Sequence, residues 1–139
     1  TLATRLILNQ GIDVEAITFV SPFCINEKGV CGAAEAAKQL GVPLKVVTVG
    51  NKYLKMVRKP KHGYGRNMNP CIDCRIFMIK KAKKYAKEIG ASFIFTGDVL
   101  DERPMSQRLK AMKIIEEESG LKRRLLRPLS ARLMHETVI

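Results

Sequence analysis

The sequence predicts an α/β fold, a doubly wound and Rossmann-like parallel sheet with helices on both faces, in one domain spanning all 139 residues. Three observations predict it. Short, hydrophobic, β-branched runs alternate with helical periods along the chain, as in a parallel sheet covered on both sides. Apolar residues make up 46 % and charged residues 27 %, the balance of an ordinary globular domain. Three polar segments, SPFC (21–24), GNKY (50–53) and TGDVLDERPMSQR (96–108), follow predicted strands. In doubly wound sheets ligands sit beyond those strand ends.

Leu2, Leu6 and Ile7 keep a helical period over residues 1–10, closed by Gly11. VEAITFV (14–20) reads as a strand, GVCGAAEAAKQLG (29–41) as an alanine-rich helix and PLKVVTVG (43–50) as the next strand. A short helix over 51–58 leads into KPKHGYGRNMNP, a loop by its Gly, Pro and Asn content. Ile72, Ile76, Ile79, Ala82, Ala86 and Ile89 then mark one face of a long helix, with the lysines of 80–87 mostly on the other faces. ASFIFTG (91–97) is a strand, Met105, Leu109, Met112 and Ile115 mark a helix ended by Gly120, and LLRPL (125–129) is a last short strand. A doubly wound domain normally opens with its central strand, whereas this chain opens with a helix. A strand and loop are therefore expected to precede Thr1.

Composition excludes several classes. No apolar run approaches the ~18 residues of a membrane span, and TLATRLILNQ lacks a signal-peptide layout, so no membrane is expected and the cytoplasm is the default location. Four cysteines are too few for a disulfide scaffold and read as thiols or metal ligands. The net charge of +12 is concentrated: residues 1–51 are balanced, whereas 52–87 carry twelve basic side chains and one acid, Asp73. That excess points to a polyanion partner, nucleic acid first.

TGDVLDERPMSQR followed by LLRPLSA resembles the PP-loop ATP pyrophosphatase domain of tRNA-thiolating enzymes. Thr96, Gly97, Asp98, Leu100, Ser106, Gln107 and Arg127-Pro128-Leu129 match the T-G-E-x-L-G-Q-x-x-S-Q segment and the later R-P-L of the 4-thiouridine synthetase family. NPCIDC is similar to the N-P-x-x-x-C of tRNA 2-thiouridylases, which puts Cys74 on their catalytic cysteine. Three departures accompany the match. The S-G-G-x-D-S pyrophosphate loop is not in the chain, and without it the chain is expected to be inactive. Asp101-Glu102 stand in place of Gly-Gln, and no cysteine follows Cys74.

The resemblance implies an ATP-dependent tRNA thiouridine synthase. ATP adenylates a uridine oxygen, pyrophosphate leaves, and sulfur from a persulfide or sulfide donor displaces AMP. Cys74 would carry sulfur, with its pKa lowered by the helix N-terminus and by Arg75. Cys71 would resolve a Cys74 persulfide. Alternatively Cys71 and Cys74 ligate an iron–sulfur cluster with Cys24 or Cys31, or all four cysteines form a structural zinc site, for which C-x₆-C is an awkward spacing. Phe23 or Phe19 stacks on adenine, or both belong to the core. Gly97 permits close backbone approach, and Asp98 holds Mg²⁺ or a ribose hydroxyl unless the segment is a plain turn. Ser106 and Gln107 offer amides to a phosphate or cap a helix.

Lys59, Lys61, His62, Tyr64 and Arg66 are candidate RNA contacts, Tyr64 by stacking on a base, as are Lys80 and Lys84; a solvated loop and helix face is the competing reading. Two other functions stay open: a PP-loop enzyme adenylating a small molecule, and a non-enzymatic basic RNA-binding module with a structural metal.

Overall fold

A computed structural model describes residues 1–21, 27–65, 70–102 and 105–138, and for 27–31 the backbone alone. The elements run α1 (Leu2–Leu8), β1 (Ala16–Val20), α2 (Glu27–Leu40), β2 (Leu44–Thr48), α3 (Asn51–Arg58), α4 (Cys71–Glu88), β3 (Ile94–Phe95), α5 (Leu109–Ser119) and β4 (Leu125–Leu126), followed by a 3₁₀ helix, Pro128–Leu133. Helices alternate with parallel strands, as the sequence predicts. The chain divides into two compact units, Thr1–Asn51 and Lys52–Ile139.

In the first unit β1 and β2 pair in parallel, Ala16 opposite Leu44 through Val20 opposite Thr48. α2 packs on β1. Gly11 (φ +73) and Gly41 (φ +67) adopt the left-handed conformation that ends the helices before each strand.

The second unit is built on α4 against α5. Ile76 and Ile79 of α4 meet Ile115 of α5, Leu121 and Leu125 in one buried cluster. Ile76, Ile79 and Ala82 of the predicted stripe are buried, while Ile89 lies beyond the last helical turn and is exposed. Gly120 closes α5 in the left-handed region (φ +68), and Leu121 N–H returns to the Glu116 carbonyl at 2.8 Å. Lys83, from the basic run, donates from Nζ to the Ser119 and Gly120 carbonyls at 3.3 and 2.7 Å, capping α5 with a positive charge. Lys80, Lys81, Lys84 and Lys87 remain exposed.

The strand predicted over 91–97 pairs over two residues, Ile94 with Leu125 and Phe95 with Leu126, and is extended by Thr96 N–H to the Leu126 carbonyl at 3.0 Å. Among the described residues the four strands thus form two parallel pairs, β1 with β2 and β3 with β4.

Ile115 is 1 % exposed at the centre of the α4–α5 contact. Ile115→Ala is expected to lower the unfolding free energy by about 3 kcal/mol, through lost burial and the cavity left behind. Urea denaturation of both proteins measures it.

Candidate functional site

β3 ends directly at Thr96-Gly97-Asp98, and the chain turns away there. Gly97 is exposed, whereas Asp98 is buried, 4 % exposed. A buried carboxylate needs donors or cations around it. Thr96 Oγ1 donates to Asp98 Oδ2 at 2.7 Å, and Gln107 Nε2 lies 3.4 Å from Oδ1. The Arg75 guanidinium pairs with Oδ1. Arg127, itself 3 % exposed, places Nε 3.8 Å from Oδ2, close enough for charge attraction without a hydrogen bond, and binds Glu116 through a terminal nitrogen. Ser130 Oγ donates to the Asp98 carbonyl at 3.1 Å and accepts from Leu100 N–H at 2.9 Å.

Four separate sequence segments therefore meet at Asp98, and a fifth reaches it through Arg127. Thr96 and Asp98 come from the β3 turn, Gln107 from the loop before α5, Arg127 and Ser130 from the residues after β4, Glu116 from α5, and Arg75 from the first turns of α4. The turn carries backbone strain as well. Asp101 adopts φ +60 and Met105 φ +72, both in the left-handed region. Asp101 N–H donates to the Gln107 carbonyl at 2.9 Å, which draws the loop closed. Gln107 Oε1 is buried and has no donor among the described residues.

Cys71 and Cys74 lie in the first four residues of α4, both half-buried and neither in a disulfide. The Cys74 amide already donates within the helix, to the Pro70 carbonyl at 2.8 Å. Its sulfur lies 3.3 Å from the Tyr53 hydroxyl of α3. Arg75, expected beside the sulfur, is committed to Asp98 instead. That pair links the cysteine helix to the strand-end turn. Cys24 and Phe23 lie outside the described residues, and so does the Cys31 side chain. Among the described residues no three His, Cys, Asp or Glu side chains cluster as metal ligands.

The basic loop is strapped down by two acids. Asp73, buried in the first turn of α4, accepts from the Lys61 and His62 amides at 3.1 and 2.9 Å. Glu118 of α5 receives Lys61 Nζ at 2.6 Å and faces His62 Nε2 at 2.9 Å. The Lys61 hydrogen bond is the main cause holding the Glu118 carboxyl below its ordinary value of 4.5; partial desolvation opposes it, and His62 adds to the lowering. The Tyr64 hydroxyl donates to the α3 carbonyls of Val57 and Arg58, the latter at 3.0 Å, leaving its ring partly exposed. Lys59, Lys61, Lys80 and Lys84 are exposed, Ser106 is half-buried, and Arg66 lies outside the described residues.

Sequence reasoning did not single out Tyr53, Asp73, Glu116 or Ser130. For Asp73 a signal existed, as the one acid among twelve bases in residues 52–87. Tyr53 closes the strand-end segment GNKY (50–53), but its partner, 21 residues away, left no signal.

Residues 1–137 match the family model described as thiamine biosynthesis protein (ThiI). The chain belongs to this family. Among its relatives, a tRNA-specific 2-thiouridylase MnmA of Syntrophotalea carbinolica is 31 % identical over 107 residues, 70 % of this chain and 30 % of that protein. A probable tRNA sulfurtransferase of Thermococcus kodakarensis is 28 % identical over 129 residues, 86 % of this chain and 32 % of that protein. One of Ureaplasma parvum is 32 % identical over 118 residues, covering 82 % and 30 %. The chain thus spans about a third of the length of these relatives. No solved structure gives a significant match. The ThiI match covers the β3 turn, the Ser106-Gln107 loop, the Arg127 segment and the cysteine helix, all of which meet around Asp98 or Cys74. No helix among the described residues is long and apolar enough to cross a membrane.

Asp98→Asn keeps the shape but leaves Arg75 and Arg127 facing a neutral group. It is expected to cost about 3 kcal/mol in urea denaturation, most of it from Arg75, which loses its carboxylate partner, since Arg127 keeps Glu116. Glu118 behaves differently with pH. A depressed carboxyl stabilises the fold above its ordinary value, and that contribution is lost as pH falls through the lowered value. Glu118→Gln is therefore expected to be less stable than the parent at neutral pH and to converge with it in acid, measured as denaturation midpoint against pH.

Proposed function

We propose that this chain carries the nucleotide- and sulfur-handling site of an ATP-dependent tRNA sulfurtransferase that replaces a uridine oxygen with sulfur. The observation that carries this reading is the Arg75–Asp98 pair, which ties the cysteine helix to the β3 turn. Sulfur chemistry and nucleotide activation need those two places side by side.

The exposed Gly97 backbone and the Ser106 region are where ATP phosphates would approach. Asp98, engaged by protein donors, supports that turn from behind. The buried Gln107 Oε1 is an acceptor that a ribose hydroxyl of ATP would satisfy. Magnesium arriving with ATP would offset phosphate charge. The uridine oxygen attacks the α-phosphorus, pyrophosphate leaves, and the base carbon becomes open to attack because AMP is a far better leaving group than oxide. The Cys74 thiolate takes the outer sulfur of a donor persulfide, the donor leaving as a thiolate; the resulting Cys74 persulfide then attacks through its terminal sulfur, and AMP leaves. Cys71 thiolate attacks the Cys74 sulfur, which releases thiouridine and leaves a Cys71–Cys74 disulfide. An external dithiol returns the pair to thiols. The pair's location in one helix turn supports this division of labour.

Exposed Lys59, Lys61, Lys80 and Lys84 would meet tRNA phosphates, while His62 and Tyr64 shape the loop that presents them. The fold that goes with this function is doubly wound and Rossmann-like, with residues 1–139 as a PP-loop ATPase domain; each unit contributes parallel strands and helices to it.

The test compares tRNA nucleosides by mass spectrometry between cells with the native gene and cells in which it encodes Cys74→Ser. The expected result is one thiolated uridine lost, with its unmodified form in its place. An unchanged nucleoside profile overturns the reading.

A further inference from the structure

Tyr53 is 3 % exposed, and its ring stands edge-on to Phe77 with centroids 5.5 Å apart. Phe77 follows Cys74 by three residues on α4, so the helix that carries the sulfur also holds the phenol ring in place. The hydroxyl then reaches to 3.3 Å from Cys74 Sγ. While Cys74 is a thiol, either group can donate. Once the sulfur loses its proton only the phenol can, and the contact becomes a charge-assisted hydrogen bond. A bond that strengthens on deprotonation favours the deprotonated form.

The two other groups expected to favour a thiolate here are already occupied. The Cys74 amide is spent on Pro70, and the Arg75 guanidinium is paired with a buried carboxylate. We propose that Tyr53 is a positioning residue for the Cys74 sulfur, its hydroxyl orienting and stabilising the thiolate. The proposal rests on the reading of Cys74 as the sulfur-handling cysteine, but thiolate formation is measured without turnover. Loss of the tRNA reading would leave the titration below intact, and the reverse also holds.

The experiment follows alkylation of Cys74 by iodoacetamide from about pH 5.5 to 9.5, read by mass spectrometry of its tryptic peptide. A Cys71→Ser background leaves Cys74 as the only cysteine in that peptide. Tyr53→Phe keeps the ring and its contact with Phe77. It is expected to move the midpoint of the profile up by about half a pH unit or more, and to slow alkylation at pH 7 about threefold, without changing the limiting rate at high pH. 3-Fluorotyrosine at position 53, a somewhat stronger donor of nearly the same shape that stays protonated over the lower part of the range, is expected to move the midpoint down. Opposite shifts separate hydrogen bonding from packing, and the second protein retains the test should Tyr53→Phe fold poorly. A midpoint indifferent to the Tyr53 hydroxyl, with only the limiting rate changed, overturns the proposal.

Discussion

The second unit is organised around a single buried carboxylate. Asp98 sits at the end of a two-residue strand, too short to orient a turn through its ladder alone. What orients it is charge. Arg75 and Arg127 bring two positive groups to Asp98, and Glu116 balances the second, so the cluster is close to neutral. Burying such groups is costly unless each finds a partner, and removing one strands the others. This makes the arrangement less a source of stability than a constraint. Helix α4, the β3 turn, helix α5 and the segment after β4 must all be in place before any of these charges is satisfied.

The cysteines inherit their position from that constraint. Cys74 and Arg75 are consecutive, so fixing Arg75 on Asp98 fixes the turn of helix that carries the sulfur. Asp73, one residue earlier, does the same for the basic loop by holding the amides of Lys61 and His62. Three adjacent residues of α4 thus face three tasks, the loop, the sulfur and the strand end. A helix turns 100° per residue, which is why consecutive positions serve different neighbours. The positive loop is held close to the cysteines through its backbone, and Lys59 and Lys61 keep their charges exposed.

The legibility of this protein from sequence follows the range of the interactions involved. Helices α2, α3 and α4 begin and end within two residues of where periodicity and glycine put them, because those signals are local. The strand runs 91–97 and 125–129 shrink to two paired residues each, since a strand exists only where a partner's backbone lies alongside. The charge pattern carries real structural information: balance gives way to a basic excess at residue 52, where the second compact unit begins. Asp101, in place of the glycine suggested by the resemblance, still adopts φ +60, a conformation that aspartate tolerates better than most residues.

From sequence alone came the α/β class with parallel strands, the basic segment, the Cys-x-x-Cys pair at a helix start and membership among tRNA-thiolating relatives. Each is a property of composition, period or short motif. Tertiary structure alone decided that Arg75 serves Asp98, that Tyr53 meets Cys74, and that Asp73 and Glu118 strap the basic loop. Those contacts join residues 11 to 57 positions apart, and side-chain hydrogen bonds of that span are set by how helices pack, which no local pattern encodes.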